Sequence, residues 1–170
     1  MALIKELNGI QPKMGKNVFL AETATLIGDV QMGDDCSIWF NAVLRGDVNF
    51  IKLGNKVNIQ HNAVVHCTYH KYPTTIGNNV SVGHSAIVHG CTIQDNVLIG
   101  MGAIVMDDCL IESHAIIAAG AVLTPHTHVK AGELWAGVPA RKIKEVSEDL
   151  KTNEIERIAN NYVKYSLWYK

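Results

Sequence analysis

The chain has 170 residues, 15 Lys and Arg against 16 Asp and Glu, and 48% hydrophobic residues with only 6% aromatic ones. That size suits one compact domain with an appendage. A net charge of −1 excludes the broad basic surface that nucleic acid or an anionic membrane attracts. The longest apolar run, residues 115–123, is too short to span a bilayer, and residues 1–6 begin no secretory signal. Cys36, Cys67, Cys91 and Cys109 form no CxxC pair. They read as small buried hydrophobes of a cytoplasmic protein, not as a disulfide framework.

Taken in chain order, the apolar residues recur every sixth position. Leu20, Leu26, Met32, Ile38 and Leu44 open the series, and Leu53, Ile59 and Val65 continue it. Ile76, Val82 and Val88 follow, and then Ile93, Ile99, Val105, Ile111, Ile117, Leu123 and Val129. A smaller or branched residue precedes many of them by two places, as at Val18, Ala24, Cys36, Ala42, Ala86 and Ala103. Helices repeat near 3.6 residues, so a period of six predicts a parallel β-helix. Each hexapeptide makes a short strand and a corner, and three complete a triangular coil. Eighteen such positions give about six coils stacked roughly 4.8 Å apart.

Three breaks interrupt the rhythm. An insertion around Asp47-Val48-Asn49 predicts a bulge, an excursion at Tyr69–Pro73 predicts a loop, and one residue is missing near Gly90. The pattern stops after Val129, so the β-helix domain is assigned to residues 1–131. Residues 132–139 then read as a turn-rich crossover. From about Asn153, Ile155, Ile158, Ala159, Tyr162, Val163 and Tyr169 recur at helical spacing. Residues 132–170 are accordingly read as a crossover plus an amphipathic helix that packs on the solenoid or on a neighbouring chain.

Counting coils places the histidines. His66 and His89 each follow an aliphatic residue by one place and stack on one outward face, with Arg45 beneath them. His84 lies beside the preceding face and does not turn the corner to join them within one chain. Zinc in a catalytic site takes three protein ligands and an open position. A cyclic trimer that brings the His84 edge of one chain to the His66/His89 face of the next completes such a set. His61, His114, His126 and His128 lack this registration and read as ordinary surface or hydrogen-bonded residues. His70 is intermediate, on the excursion after His66.

The segments Ser37-Ile38-Trp39, Ala42–Asp47, Asn58-Ile59-Gln60, Gly83–Cys91, Ile99–Ala103 and Gly137–Ala140 resemble the gamma-class carbonic anhydrases over nearly the whole chain, closest to a short bacterial branch. The resemblance implies a left-handed β-helix and a homotrimer. It also implies Zn2+ (Fe2+ or Co2+ in some relatives) on His66, His84 and His89 at each interface. Hydroxide on that metal then converts carbon dioxide to bicarbonate. Gln60 resembles the residue that orients the metal's water, and Arg45 and Asp47 resemble an interface pair, in which Arg45 either holds the trimer together with Asp47 or stabilises product-like negative charge. Tyr162, on the C-terminal helix, either approaches the pocket or packs the helix. Two departures bear on rate: His61 replaces an acidic residue, and the acidic proton-shuttle loop is missing, leaving His70 as a substitute. The alternatives are an acyl-CoA-dependent hexapeptide acyltransferase with His114 as base, and a metal-bearing structural trimer.

Overall fold

Leu26, Leu44, Val65, Val88, Val105 and Leu123 lie one above another in parallel register. So do Ile38, Ile59, Val82, Ile99 and Ile117. A third column runs Met32, Leu53, Ile76, Ile93, Ile111 and Val129. In this computed structural model, which describes residues 1–169, these columns line the inside of a parallel β-helix of about seven coils. Small residues such as Ala42, Ala63, Ala86 and Ala103 fill the space between them, all fully buried. Each buried Leu, Ile or Val contributes roughly 1.5–3 kcal/mol, and the repeat distributes that contribution evenly along the axis.

The corners need left-handed backbone, and polar residues supply much of it: Asn62 (φ 61°), Ser85 (φ 59°) and Asn96 (φ 56°). Asn and Asp tolerate that region better than most side chains. Ser85 makes the turn that separates His84 from the face carrying His66 and His89.

The solenoid includes residues ahead of the hexapeptide series, since Leu3–Lys5 and Lys13–Met14 pair with Thr25–Met32. The extra residues around Asp47-Val48-Asn49 bulge as expected, within the strand Val43–Leu53, and appear as a register shift against Gly28–Val30. Two expectations are corrected. Residues 132–139 form most of a hairpin. Glu133–Gly137 extends the stack in parallel on Ile116–Ile117 and then pairs antiparallel with Ala140–Glu145, giving the last coil's edge a partner. The helical tail starts at Glu148, where Ser147 Oγ accepts from Leu150 N (3.3 Å), and passes through a π-helical stretch at Lys151–Glu156 to the helix Arg157–Ser166.

That tail packs on its own solenoid. Ile155 is buried against Ile116 and Val146, while Tyr162 and Tyr165 cover Phe19, Ala21 and Trp39. All four cysteines are buried and unpaired. No helix among the described residues is long and apolar enough to cross a membrane.

Candidate metal centre

The strand Val64–His66 lies beneath Ile87–His89 with His66 and His89 in register, so the two imidazoles emerge side by side. His66 Nδ1 stands 3.0 Å from His89 Nε2. The other nitrogen of each ring faces a carboxylate. His66 Nε2 donates to Asp47 Oδ1 (3.0 Å) and His89 Nδ1 donates to Asp107 Oδ1 (2.6 Å). Arg45 holds Asp47 from the other side and its guanidinium reaches to 3.4 Å from His66 Nδ1. Thr68 Oγ1 holds Asp107 (2.7 Å). Gly90 makes room for this, since a Cβ there lies 2.3 Å from Asp107 Oδ1.

These partners fix the protons. A ring that donates from one nitrogen presents a lone pair on the other, so two lone pairs face each other across 3.0 Å. Burial lowers the pKa of His66, and Arg45 and His89 add to this against the upward pull of Asp47. Burial alone raises Asp47 and Asp107. Hydrogen bonds from His66 and Arg45 outweigh it at Asp47, as those from Thr68 and His89 do at Asp107, and both carboxyls fall below the ordinary range.

His84 stands elsewhere. Its Nδ1 lies 3.1 Å from His61 Nδ1, and its Nε2 lies 3.5 Å from the Tyr162 hydroxyl. Burial and then His61 lower its pKa. Burial, followed by Tyr165, pushes the Tyr162 phenol up to about 12, so it keeps its proton. Gln60, His84 and Tyr162 line a cavity of about 390 Å3 whose walls are otherwise largely apolar: Leu98, Ile99, Ile116 and Ile158. Gln60 Nε2 donates to Asn58 Oδ1 (3.0 Å) and Asn58 Nδ2 donates to Ser81 Oγ (2.7 Å). The amide is therefore locked, with its carbonyl oxygen able to accept a hydrogen bond.

Of the residues singled out in the sequence, Arg45, Asp47, His66 and His89 thus form one cluster, and Gln60, His84 and Tyr162 another. Among the described residues of one chain, no three His, Cys, Asp or Glu side chains gather to hold an ion. The first cluster nevertheless suits a metal. Two imidazole nitrogens on a tetrahedral zinc at about 2.0–2.1 Å stand roughly 3.3 Å apart, near the 3.0 Å found here. Carboxylate-oriented histidines are the common support of such ligands.

Asp107 escaped the reading of the sequence because it sits one step diagonal to His89. His61 was set aside there as unregistered. It is in fact separated from His84 by 23 residues, the same spacing as His66 and His89, and that equality was available in the sequence. His70 packs edge-on against Tyr69 (4.0 Å) on the exposed excursion, and His114 makes a corner with φ 62° away from the cavity lining.

A family model described as "Bacterial transferase hexapeptide (six repeats)" matches residues 90–125. Over 152 residues the chain is 47% identical to a "Probable carbonic anhydrase" of Methanocaldococcus jannaschii, covering 89% of this chain and 92% of that one. It is 43% identical over 157 residues to "Gamma carbonic anhydrase 2, mitochondrial" of Arabidopsis thaliana, covering 89% of this chain but 56% of the plant protein. The chain thus spans little more than half the length of that relative. Among solved structures it matches a hexapeptide transferase family protein from Anaplasma phagocytophilum with a TM-score of 0.93 and 41% identity, over 99% of this chain and 98% of that one.

Proposed function

The chain belongs to the gamma-class carbonic anhydrase family, and from that premise we propose that it hydrates carbon dioxide to bicarbonate at metal centres shared between three copies of the chain. His66 and His89 of one copy and His84 of the next hold the ion. Zinc suits three histidines with an open position, and iron(II) or cobalt(II) accept the same donors. When bound, the ion supplies Lewis-acid activation of water, bringing its pKa to near 7.

The observation that carries this reading is the pair of carboxylate-backed lone pairs facing each other on His66 and His89. One chain offers half a coordination set there and a third imidazole on another edge. Exposed Ile87 and Met106 flank His89, and exposed Met101 flanks His84. These apolar side chains give the surface through which copies meet.

The chain's own residues divide the remaining work. Asp47 and Asp107 hold the rings and their tautomers. Arg45, paired to Asp47, serves first to hold that carboxylate. Gln60 orients water through its free carbonyl oxygen, and protonated Tyr162 stands at the cavity wall as a donor. The excursion after His66 carries no carboxylate, so proton release limits turnover and added buffer accelerates it.

Metal analysis of untagged protein is expected to find close to one zinc, iron or cobalt per chain. His89→Ala is expected to lose the metal and carbon dioxide hydration together. Metal-loaded protein inactive in stopped-flow assays at every buffer concentration contradicts the catalytic part and leaves a structural metal trimer. Acyl-CoA-dependent transfer abolished by His114→Ala favours the transferase reading that the Anaplasma relative raises.

A further inference from the structure

We propose that His61 is the positioning residue of His84: its Nδ1 accepts a hydrogen bond from His84 Nδ1–H and so keeps His84 Nε2 free to bind metal. The inference rests on the reading of His84 as a ligand.

His66 and His89 each give their second ring nitrogen to a carboxylate, Asp47 and Asp107. His84 touches no carboxylate at its second nitrogen. What stands there is His61, 3.1 Å away between the two Nδ1 atoms. At that separation one nitrogen donates and the other accepts. A His84 whose Nε2 carries a lone pair has its proton on Nδ1, which makes His61 the acceptor, protonated on its own Nε2.

The fold holds the acceptor still. Phe40, His61, His84 and Met101 occupy one column, tied coil to coil by Asn62 N to Phe40 O (3.0 Å), Ser85 N to His61 O (2.9 Å) and Gly102 N to His84 O (2.8 Å). The His61 ring stacks on Phe40 (5.7 Å, 15° between planes) and lies against Trp39 (5.5 Å). Trp39 is itself fixed by its indole N–H on Ser37 Oγ (3.0 Å). A neutral imidazole therefore does for the third ligand what carboxylates do for the other two, with one negative charge fewer around the ion.

Two substitutions separate positioning from packing. His61→Asn keeps an acceptor atom near the place of Nδ1 and gives up the ring. His61→Phe keeps the ring on Phe40 and Trp39 and gives up the acceptor. Zinc affinity is read by competition with a chromophoric chelator, and Co2+ loading by its visible spectrum. Thermal unfolding and oligomeric mass are followed in parallel. The expected result is a loss of about 10–100-fold in zinc affinity for His61→Phe, with a changed cobalt spectrum. His61→Asn is expected to stay within roughly threefold of the parent. Parent-like affinity in His61→Phe, or an equal loss in both variants, overturns the proposal. Absence of metal binding by the unaltered protein overturns instead the reading of the histidines as ligands.

Discussion

Glu133 is buried where the last coil meets the hairpin. One carboxylate oxygen accepts from the Trp135 indole (2.8 Å) and from Lys130 N (3.0 Å), and the other pairs with Lys142 (2.9 Å). Burial raises its pKa, but Lys142, Trp135 and Lys130 outweigh this and bring it to about 2 from the ordinary 4.5. A carboxyl depressed in the folded state stabilises above its unfolded pKa, and that contribution is lost as pH falls through the folded value. Glu133→Gln is therefore expected to cost on the order of 2 kcal/mol at pH 7. In urea unfolding the difference between parent and variant shrinks from pH 4.5 downward and vanishes near pH 2. A difference that does not change with pH contradicts the assignment. At this scale the sequence shows which side chains could act, but less of what supports them. The 23-residue spacing makes His66 and His89 legible, and applied once more it makes His61 and His84 legible too. Asp107 and the Asn58–Ser81 brace of Gln60 depend on side-chain direction across neighbouring coils, which a linear count does not give.

The strands are too short to stand alone, so the stacking of coils decides their stability. Ile99 is fully buried between Val82 and Ile117. Ile99→Ala leaves a cavity in a closed prism with little room to relax and is expected to cost about 2–5 kcal/mol in denaturant unfolding. Gly46 tests the link from stacking to the site. A Cβ there lies 2.4 Å from the backbone oxygen of Asp29, and Gly46 joins Arg45 to Asp47. Gly46→Ala is expected to cost about 1–3 kcal/mol and to lower metal content with it; unchanged metal content separates the two effects. The hexapeptide period made most elements readable because one inward residue per strand is a strong signal. The closing hairpin was missed because the period fades after Val129 and Gly137 and Pro139 look like loop residues. The start of the tail was missed although Ser147-Glu148-Asp149 carries a helix N-cap with acidic residues in the first turn.

The whole molecule is a parallel β-helix whose two histidine pairs lie on different parts of its surface. The His66/His89 cluster and the His84 cavity are separate in one chain, as coil counting anticipated, and each borders exposed apolar side chains. Assembly and metal binding are on this account a single event: a copy that cannot associate holds no catalytic ion, and loss of one ligand weakens the trimer as well as the site. The most direct test is anomalous diffraction from metal-loaded crystals. The account predicts one peak per chain at a seam between copies, at bonding distance from His66 and His89 of one and His84 of its neighbour. A peak bound by histidines of a single copy contradicts it, as does a seam without metal in protein that hydrates carbon dioxide.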